Sequence, residues 1–261
     1  MVGNISLVDH PQFNYHNKGF CAIVSNIIDI ALEHFNRFND YNVSISDGQT
    51  EKLFTCNKST EGPTYDASNY FLTQFLNKNT QHNIYNAHKK ANVDNLHKKN
   101  LVMLNTLKLK SDVEEEFKSI KTSLLGDKKT LGIHLRGTDK ITELPSIPED
   151  TIYKCIDTHL KMSKCSQIFL STDDIFYVNL LQNKYGKDVV KYNSNNTISY
   201  NKQPLHKSGD RHKINKEVLS DVYLLSTVDT FLYCFSNVSL LSLIIGINNF
   251  SKICNINTFK E

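Results

Sequence analysis

From Thr130 to Gly246, short continuous apolar runs alternate with longer stretches in which apolar residues recur every three or four positions. The runs predict buried strands over Thr130–Leu135, Gln167–Ser171, Val189–Tyr192 and Thr230–Cys234, because a strand covered on both faces needs apolar residues at every position. The longer stretches predict helices over Glu149–Lys161, Ile175–Tyr185 and Lys216–Thr227, with a shorter one over Val238–Gly246. Strands alternating with helices of this length imply a parallel sheet with helices on both faces. Such sheets bind ligands at the carboxyl ends of their strands. The chemistry is therefore expected just after Leu135, Leu170 and Cys234.

The first half is less regular. Ile5–Val8 reads as a short strand, and a helical period with a wide apolar face runs from Phe20 to Phe38 through Ile23, Ile27, Ile28, Ile30, Ala31 and Leu32. The approach to it, Asn14-Tyr15-His16-Asn17-Lys18-Gly19, is polar; a glycine loop opening a buried helix lets backbone N–H groups meet a phosphate, although punctuation alone also explains one glycine. Val43–Ile45 and Leu53–Thr55 predict strands, Asp66–Leu76 a helix, and Ser111–Leu125 a helix with acids early and lysines late, as the helix dipole favours. Asn77–Asn100 is rich in Asn, His and Lys. Its His82, His88 and His97 fit no metal-binding helix spacing, so a solvated loop or amphipathic helix is expected.

Composition sharpens one point. Of 30 Lys plus Arg, only Arg37, Arg136 and Arg211 are arginines, and about 29 residues are asparagine. With lysine serving nearly every need for positive charge, the arginines mark places to look for guanidinium chemistry. Arg37 belongs to the surface of the first long helix. A formal charge of +3 spread over 261 residues excludes the concentrated basic face of a dedicated nucleic-acid binder. The six cysteines show no CxxC pair and no metal-ligand spacing and read as reduced and mostly buried. No stretch is apolar enough to span a membrane, and the first residues lack signal-peptide character, so a cytoplasmic protein is expected.

Three strand ends carry candidate chemistry. After the first comes His134-Leu135-Arg136-Gly137-Thr138-Asp139-Lys140, where His134 and Arg136 share a strand face. A guanidinium there holds two phosphate oxygens while the imidazole addresses a base or ribose; an Arg136–Asp139 salt bridge is the plain alternative. After the second comes Ser171-Thr172-Asp173-Asp174, where Thr172 or Asp173 serves as helix N-cap and no third metal ligand accompanies the acids. The third is Leu219-Ser220-Asp221 leading to Phe235-Ser236-Asn237. Asp221 sits among apolar residues and needs a partner, which the N1–H and exocyclic amine of guanine supply.

Together, these motifs and Asn196-Thr197-Ile198-Ser199-Tyr200 resemble, in order and spacing, the donor half of α1,6-fucosyltransferases and bacterial nodulation fucosyltransferases, and more distantly protein O-fucosyltransferases. The resemblance spans about residues 130–246 and extends loosely to Asn17-Lys18-Gly19-Phe20. It implies an α/β architecture of two Rossmann-like domains in a B-type glycosyltransferase fold, with residues 1–125 a reduced acceptor-side domain and residues 126–261 the donor-binding domain. It also implies GDP-fucose as donor, inversion at the anomeric carbon, a glycan or other hydroxyl acceptor, and no required metal or cofactor.

Carried over by position, Arg136 binds the donor diphosphate, His134 and Asp221 the guanine, and Ser236, Asn237 and the Lys18-Gly19 backbone the phosphates. Asp173, Asp174 and Ser199 shape the donor site, and Glu143 with Lys140 falls near the family's proposed base. The chain departs from the family in three places. Arg136-Gly137 replaces two consecutive arginines, leaving Lys140 or Arg211 to supply the second charge; the interval from Lys140 to Glu143 is one residue shorter; and Asn237 replaces a serine. Absence of a secretory anchor points to a bacterial or viral enzyme of the cytosol. The alternatives are transfer of another GDP- or nucleotide-linked sugar, a sugar-nucleotide or glycan-binding module without catalysis, and a nucleic-acid partner.

Overall fold

A computed structural model describes residues 3–6, 20–38, 43–46, 50–56, 64–66, 92–138, 146–202, 205 and 210–260. The chain divides into two compact units, Met1–Glu116 and Phe117–Glu261.

In the N-terminal unit, β1 (Gly3–Ser6) lies at the centre of a parallel sheet, flanked by β2 (Val43–Ser46) and β4 (Thr64–Asp66). The helix α1 (Phe20–Phe38) connects β1 to β2, making a βαβ crossover. Val24, Ile27 and Ile28 of α1 are fully buried, as its apolar period predicts. Where Leu53–Thr55 was expected to be strand, the short helix α2 (Thr50–Leu53) ends at Leu53 and β3 (Phe54–Cys56) follows, antiparallel to β5 (Leu107–Leu109). The Asn-rich stretch resolves in part into α3 (Val93–Thr106), started by Asn92, whose side chain accepts from Asn95 N. Lys99 of α3 pairs with Asp29 of α1 at 2.5 Å. The expected helix over Asp66–Leu76 lies outside the described residues, apart from Asp66, the last residue of β4. The helix α4 (Ser111–Leu124) follows β5 and places Phe117 in the second unit, against Tyr223.

The C-terminal unit is a five-stranded sheet, parallel throughout, with order β10-β9-β6-β7-β8. Its strands are β6 (Thr130–Leu135), β7 (Gln167–Thr172), β8 (Val190–Lys191), β9 (Thr230–Tyr233) and β10 (Lys252–Asn255). The helices α5 (Glu149–Ser163), α6 (Ile175–Tyr185), α7 (Arg211–Ser226) and α8 (Asn237–Gly246) alternate with them. Strand alternation sorts the two faces. Leu131, Ile133 and Leu135 of β6 pack with Ile152, Ile156, Val178 and Leu181 of α5 and α6. Gly132 faces the other way, where a Cβ would lie 2.8 Å from Val228 Cγ2, so α7 and its following turn approach the strand closely.

The chain runs from β6 through β7 to β8, then returns to build β9 and β10 on the other side of β6. Strand order therefore reverses between β6 and β9, which opens a crevice at their carboxyl ends. Among the described residues no helix is long and apolar enough to cross a membrane.

Candidate functional site

The crevice between β6 and β9 holds a cavity of about 350 Å³, lined by Leu135, Arg136 and Gly137 after β6, Cys234 and Phe235 after β9, and residues from four neighbouring segments. Those segments contribute Pro148 and Glu149 at the start of α5, Asp174 and Tyr177 at the start of α6, Lys202 and Asn257. The strand-end rule thus places the rare Arg136 where the sequence put it.

Asp173 organises the segment that carries Arg136. Its Oδ1 accepts from Gly137 N at 2.9 Å, its Oδ2 accepts from Thr138 Oγ1 at 2.6 Å, and Arg136 Nε lies 3.8 Å from Oδ2. One carboxylate from the end of β7 thereby fixes three consecutive residues after β6. Asp139, the alternative partner for Arg136 in sequence, lies outside the described residues.

The helix cap falls one residue later than expected. Asp174, not Thr172 or Asp173, is the N-cap of α6; its Oδ1 accepts from Phe176 N at 2.9 Å, and Thr172 Oγ1 accepts from Asp174 N at 3.2 Å. Ser199 pairs with this turn through its backbone, donating to Asp173 O at 2.9 Å and accepting from Ile175 N at 3.1 Å. Asp173, Asp174 and Ser199 are bonded as architecture around the cavity.

Gly137 is packed by the same turn. A Cβ there would lie 2.5 Å from Asp174 Oδ2, 2.7 Å from Asp174 Cβ and 2.9 Å from Tyr177 Cε2. The position that carries a second arginine in the resembled family has no room here for any side chain. Lys202, in a turn at φ 61°, lines the cavity, while Arg211 opens α7 and is not one of the lining residues. Sequence reasoning missed Lys202 because nothing in its local pattern distinguishes it from other loop lysines. Lys140 lies outside the described residues.

His134 and Asp221 meet on the α7 face through Ser171. His134 Nδ1 lies 3.1 Å from Ser171 O and 3.2 Å from Ser171 Oγ, while Ser171 Oγ donates to Asp221 Oδ2 at 2.9 Å. The serine's one proton is committed to the carboxylate, so Nδ1 acts as the donor toward Ser171. Asn196 Nδ2 donates to Asp221 Oδ1 at 2.8 Å and to Glu217 O at 3.2 Å. Asp221 is partly exposed by area yet densely surrounded by protein, and this burial pushes its carboxyl up to about 7, the bonds from Ser171 and Asn196 pulling the other way. The need for a partner, inferred from its apolar sequence context, is met inside the protein.

Ser236 is fully buried and caps α8, accepting from Ser239 N at 3.0 Å; Asn237 is the first residue of that helix. Burial also raises Tyr177 to about 12 and Cys234 to about 11, the Arg136 backbone and charge partly opposing the latter. Both cavity groups stay protonated near neutral pH, so neither is a base there. Asn257 accepts from Phe235 N at 2.8 Å, tying the segment after β10 to the cavity wall. Lys18, Gly19 and Glu143 lie outside the described residues.

No family model matches the chain, and no curated protein matches it by sequence. Solved structures do. The selenomethionine form of the fucosyltransferase NodZ from Bradyrhizobium superposes with a TM-score of 0.54 at 12% identity, over 97% of this chain and 93% of that one. NodZ α-1,6-fucosyltransferase co-crystallised with GDP gives 0.51 at 12% identity, over 94% and 91%. The enzyme soaked with GDP-fucose gives 0.50 at 13% identity, over 94% and 92%. The chain has the B-type glycosyltransferase fold of these fucosyltransferases. The fold implied by the resemblance is therefore present, and the superpositions cover nearly the whole chain, beyond the residues 130–246 that carry the resemblance in sequence.

Proposed function

We propose that the chain is an inverting, metal-independent glycosyltransferase that moves L-fucose from GDP-fucose to a hydroxyl acceptor, with residues 126–261 binding the donor and residues 1–125 the acceptor. The observation that carries this reading is Arg136, held by Asp173 at the switch point of the parallel sheet, beside a cavity that also presents Lys202. The NodZ structures with GDP and GDP-fucose support it at the level of fold.

In this reading Arg136 and Lys202 meet the donor diphosphate. Negative charge grows there as the bond to the sugar breaks, so a fixed guanidinium is worth most in the transition state. Asp173 supplies the fixing. Asp221 and His134, already joined through Ser171, face the guanine from the other side of Arg136. Each carboxylate oxygen of Asp221 keeps a lone pair beyond the bond it accepts in the fold. Lys18 and Gly19 add backbone contacts to the phosphates, with Ser236 and Asn237 shaping the turn before α8. Glu143, near Lys140, takes the acceptor proton as the hydroxyl attacks C1.

Donor turnover tests the assignment. Arg136→Ala and Arg136→Lys are each expected to lower kcat/KM by at least about 100-fold, as for removal of one donor to a developing anion, while the fold survives. Near-normal activity in the lysine variant refutes the bidentate role. Glu143→Gln should abolish transfer and keep donor binding; if Glu149→Gln, at the cavity wall, does so instead, the base is reassigned.

A second reading, donor binding without turnover, is favoured by Gly137, whose close packing excludes the second arginine. Binding of GDP with no hydrolysis or transfer on any acceptor would select it.

A further inference from the structure

Away from the cavity, three metal-type ligands come together between α5 and β10. Cys155 and His159 are one helical turn apart on α5 and so project from one face. Cys254 of β10 meets them from across the turn of the sheet. Cys155 Sγ lies 3.9 Å from Cys254 Sγ and 3.8 Å from His159 Nδ1, and the three ligand atoms all lie within 4.8 Å of one another.

These separations have a specific meaning. A tetrahedral zinc ion with bonds of about 2.3 Å to sulfur and 2.0–2.1 Å to nitrogen spaces its sulfurs about 3.8 Å apart and sulfur from nitrogen about 3.6 Å apart. The two edges that meet at Cys155 agree to within a few tenths of an ångström, and the third, from Cys254 to His159, is at most 4.8 Å. We propose that Cys155, His159 and Cys254 form a structural site for a thiophilic divalent cation, zinc, with water in the fourth position on the partly exposed side of Cys254.

The surroundings fit. Cys155 is fully buried and His159 is 9% exposed, so two ligands are already held in place by packing. The ring of Phe259 lies 6.1 Å from that of His159 and covers it. Both thiols give their protons to solvent on binding. His159 Nδ1 donates to Cys155 O at 2.8 Å, so ligation requires the ring to release that bond and move its proton to Nε2, turning the Nδ1 lone pair toward the ion.

A disulfide would use the two cysteines alone, whereas a metal would also take the histidine nitrogen beside them. Cys155 lies six residues along α5 from the cavity residue Glu149, about 9 Å at 1.5 Å per residue, so the ion stands outside the cavity. Its effect is to fasten β10, and through it Asn257, to α5. Sequence spacing hides the site because Cys155 and Cys254 are 99 residues apart.

The test is a Zn²⁺ titration of the reduced, metal-stripped chain against a chromophoric chelator. One tight equivalent is expected, with proton release and a rise in Tm, and Cys254→Ser and His159→Gln should each weaken it at least about 100-fold, since even supporting partners of a metal ligand are worth 10–100-fold. Cys165→Ser and Cys234→Ser should leave it intact. Co²⁺ bound to the unmutated chain should show thiolate charge-transfer absorption, which reads the ligands even if a variant fails to fold. The proposal is overturned by no stoichiometric Zn²⁺, by an equivalent that survives both ligand variants, by Co²⁺ without a thiolate band, or by a Cys155–Cys254 disulfide whose reduced form binds no metal.

Discussion

Asp221 illustrates how burial and hydrogen bonding pull one carboxyl in opposite directions. Its carboxyl stands at about 7, against 3.8 in the unfolded chain, because burial penalises the anion more than Ser171 and Asn196 stabilise it. Between those two values the folded chain holds a proton that the unfolded chain has released. Stability therefore falls as pH rises from about 4 to about 7, at up to about 1.4 kcal/mol per pH unit, and levels off above. Asp221→Asn should flatten this part of the stability–pH curve in chemical denaturation, whatever its offset; an unchanged slope overturns the assignment. A bound guanine, donating to the same carboxylate, would favour the anion and pull its pKa down.

At the scale of elements, the joint between β6 and α6 is closely constrained. Asp173 bonds the segment after β6 while Asp174 caps α6 and lies against Gly137. Gly137→Ala should cost about 1–3 kcal/mol, the usual range for overpacking, and Gly137→Arg should cost more without restoring a cation to the cavity. Thermal melts of the two variants check this; a stable arginine variant with raised donor affinity would show that α6 yields.

The same joint shows what was legible. The strands β6, β7 and β9 and the helices α5, α6 and α8 stand where continuous apolar runs and helical periods put them. Helix α7 begins at Arg211 rather than Lys216, because its first turn, Arg211-His212-Lys213, is polar and is held by the Asp210 cap, which a hydrophobic period does not register. The edge strand β10 was missed: Lys252-Ile253-Cys254-Asn255 lacks a continuous apolar run and gains its conformation from pairing with β9. The position of Arg136 was readable because the apolar run before it marks a strand end; the meeting of His134 with Asp221 through Ser171 was not, because Asp221 comes from helix α7 and Ser171 from the next strand. Lys202, Asn257 and the approach of Cys254 to Cys155 were not, because each depends on distant segments brought together only by the sheet.

For the molecule as a whole, the donor is the quantity to measure. Ligand that binds only the folded state stabilises it by mass action, about 2.7 kcal/mol at a concentration 100 times Kd. GDP and GDP-fucose are expected to raise Tm by several degrees, with UDP and UDP-sugars giving little; Asp221→Asn should shrink the difference between the two nucleotides. Equal shifts for guanine and uracil nucleotides would remove the guanine-reading role, and a response confined to UDP-sugars would replace the donor.

The outer strands of the C-terminal sheet bear on how copies of the chain behave toward one another. One edge is β8, two residues long, and the other is β10, four residues long and opened by Lys252. An unpaired edge templates strand addition from a neighbouring copy in proportion to the length it offers, and a lysine on it resists desolvation. A sheet that ends in such short edges presents little for another chain to extend, so the apolar strands at its centre can be almost wholly hydrophobic without making the protein prone to stack into fibrils.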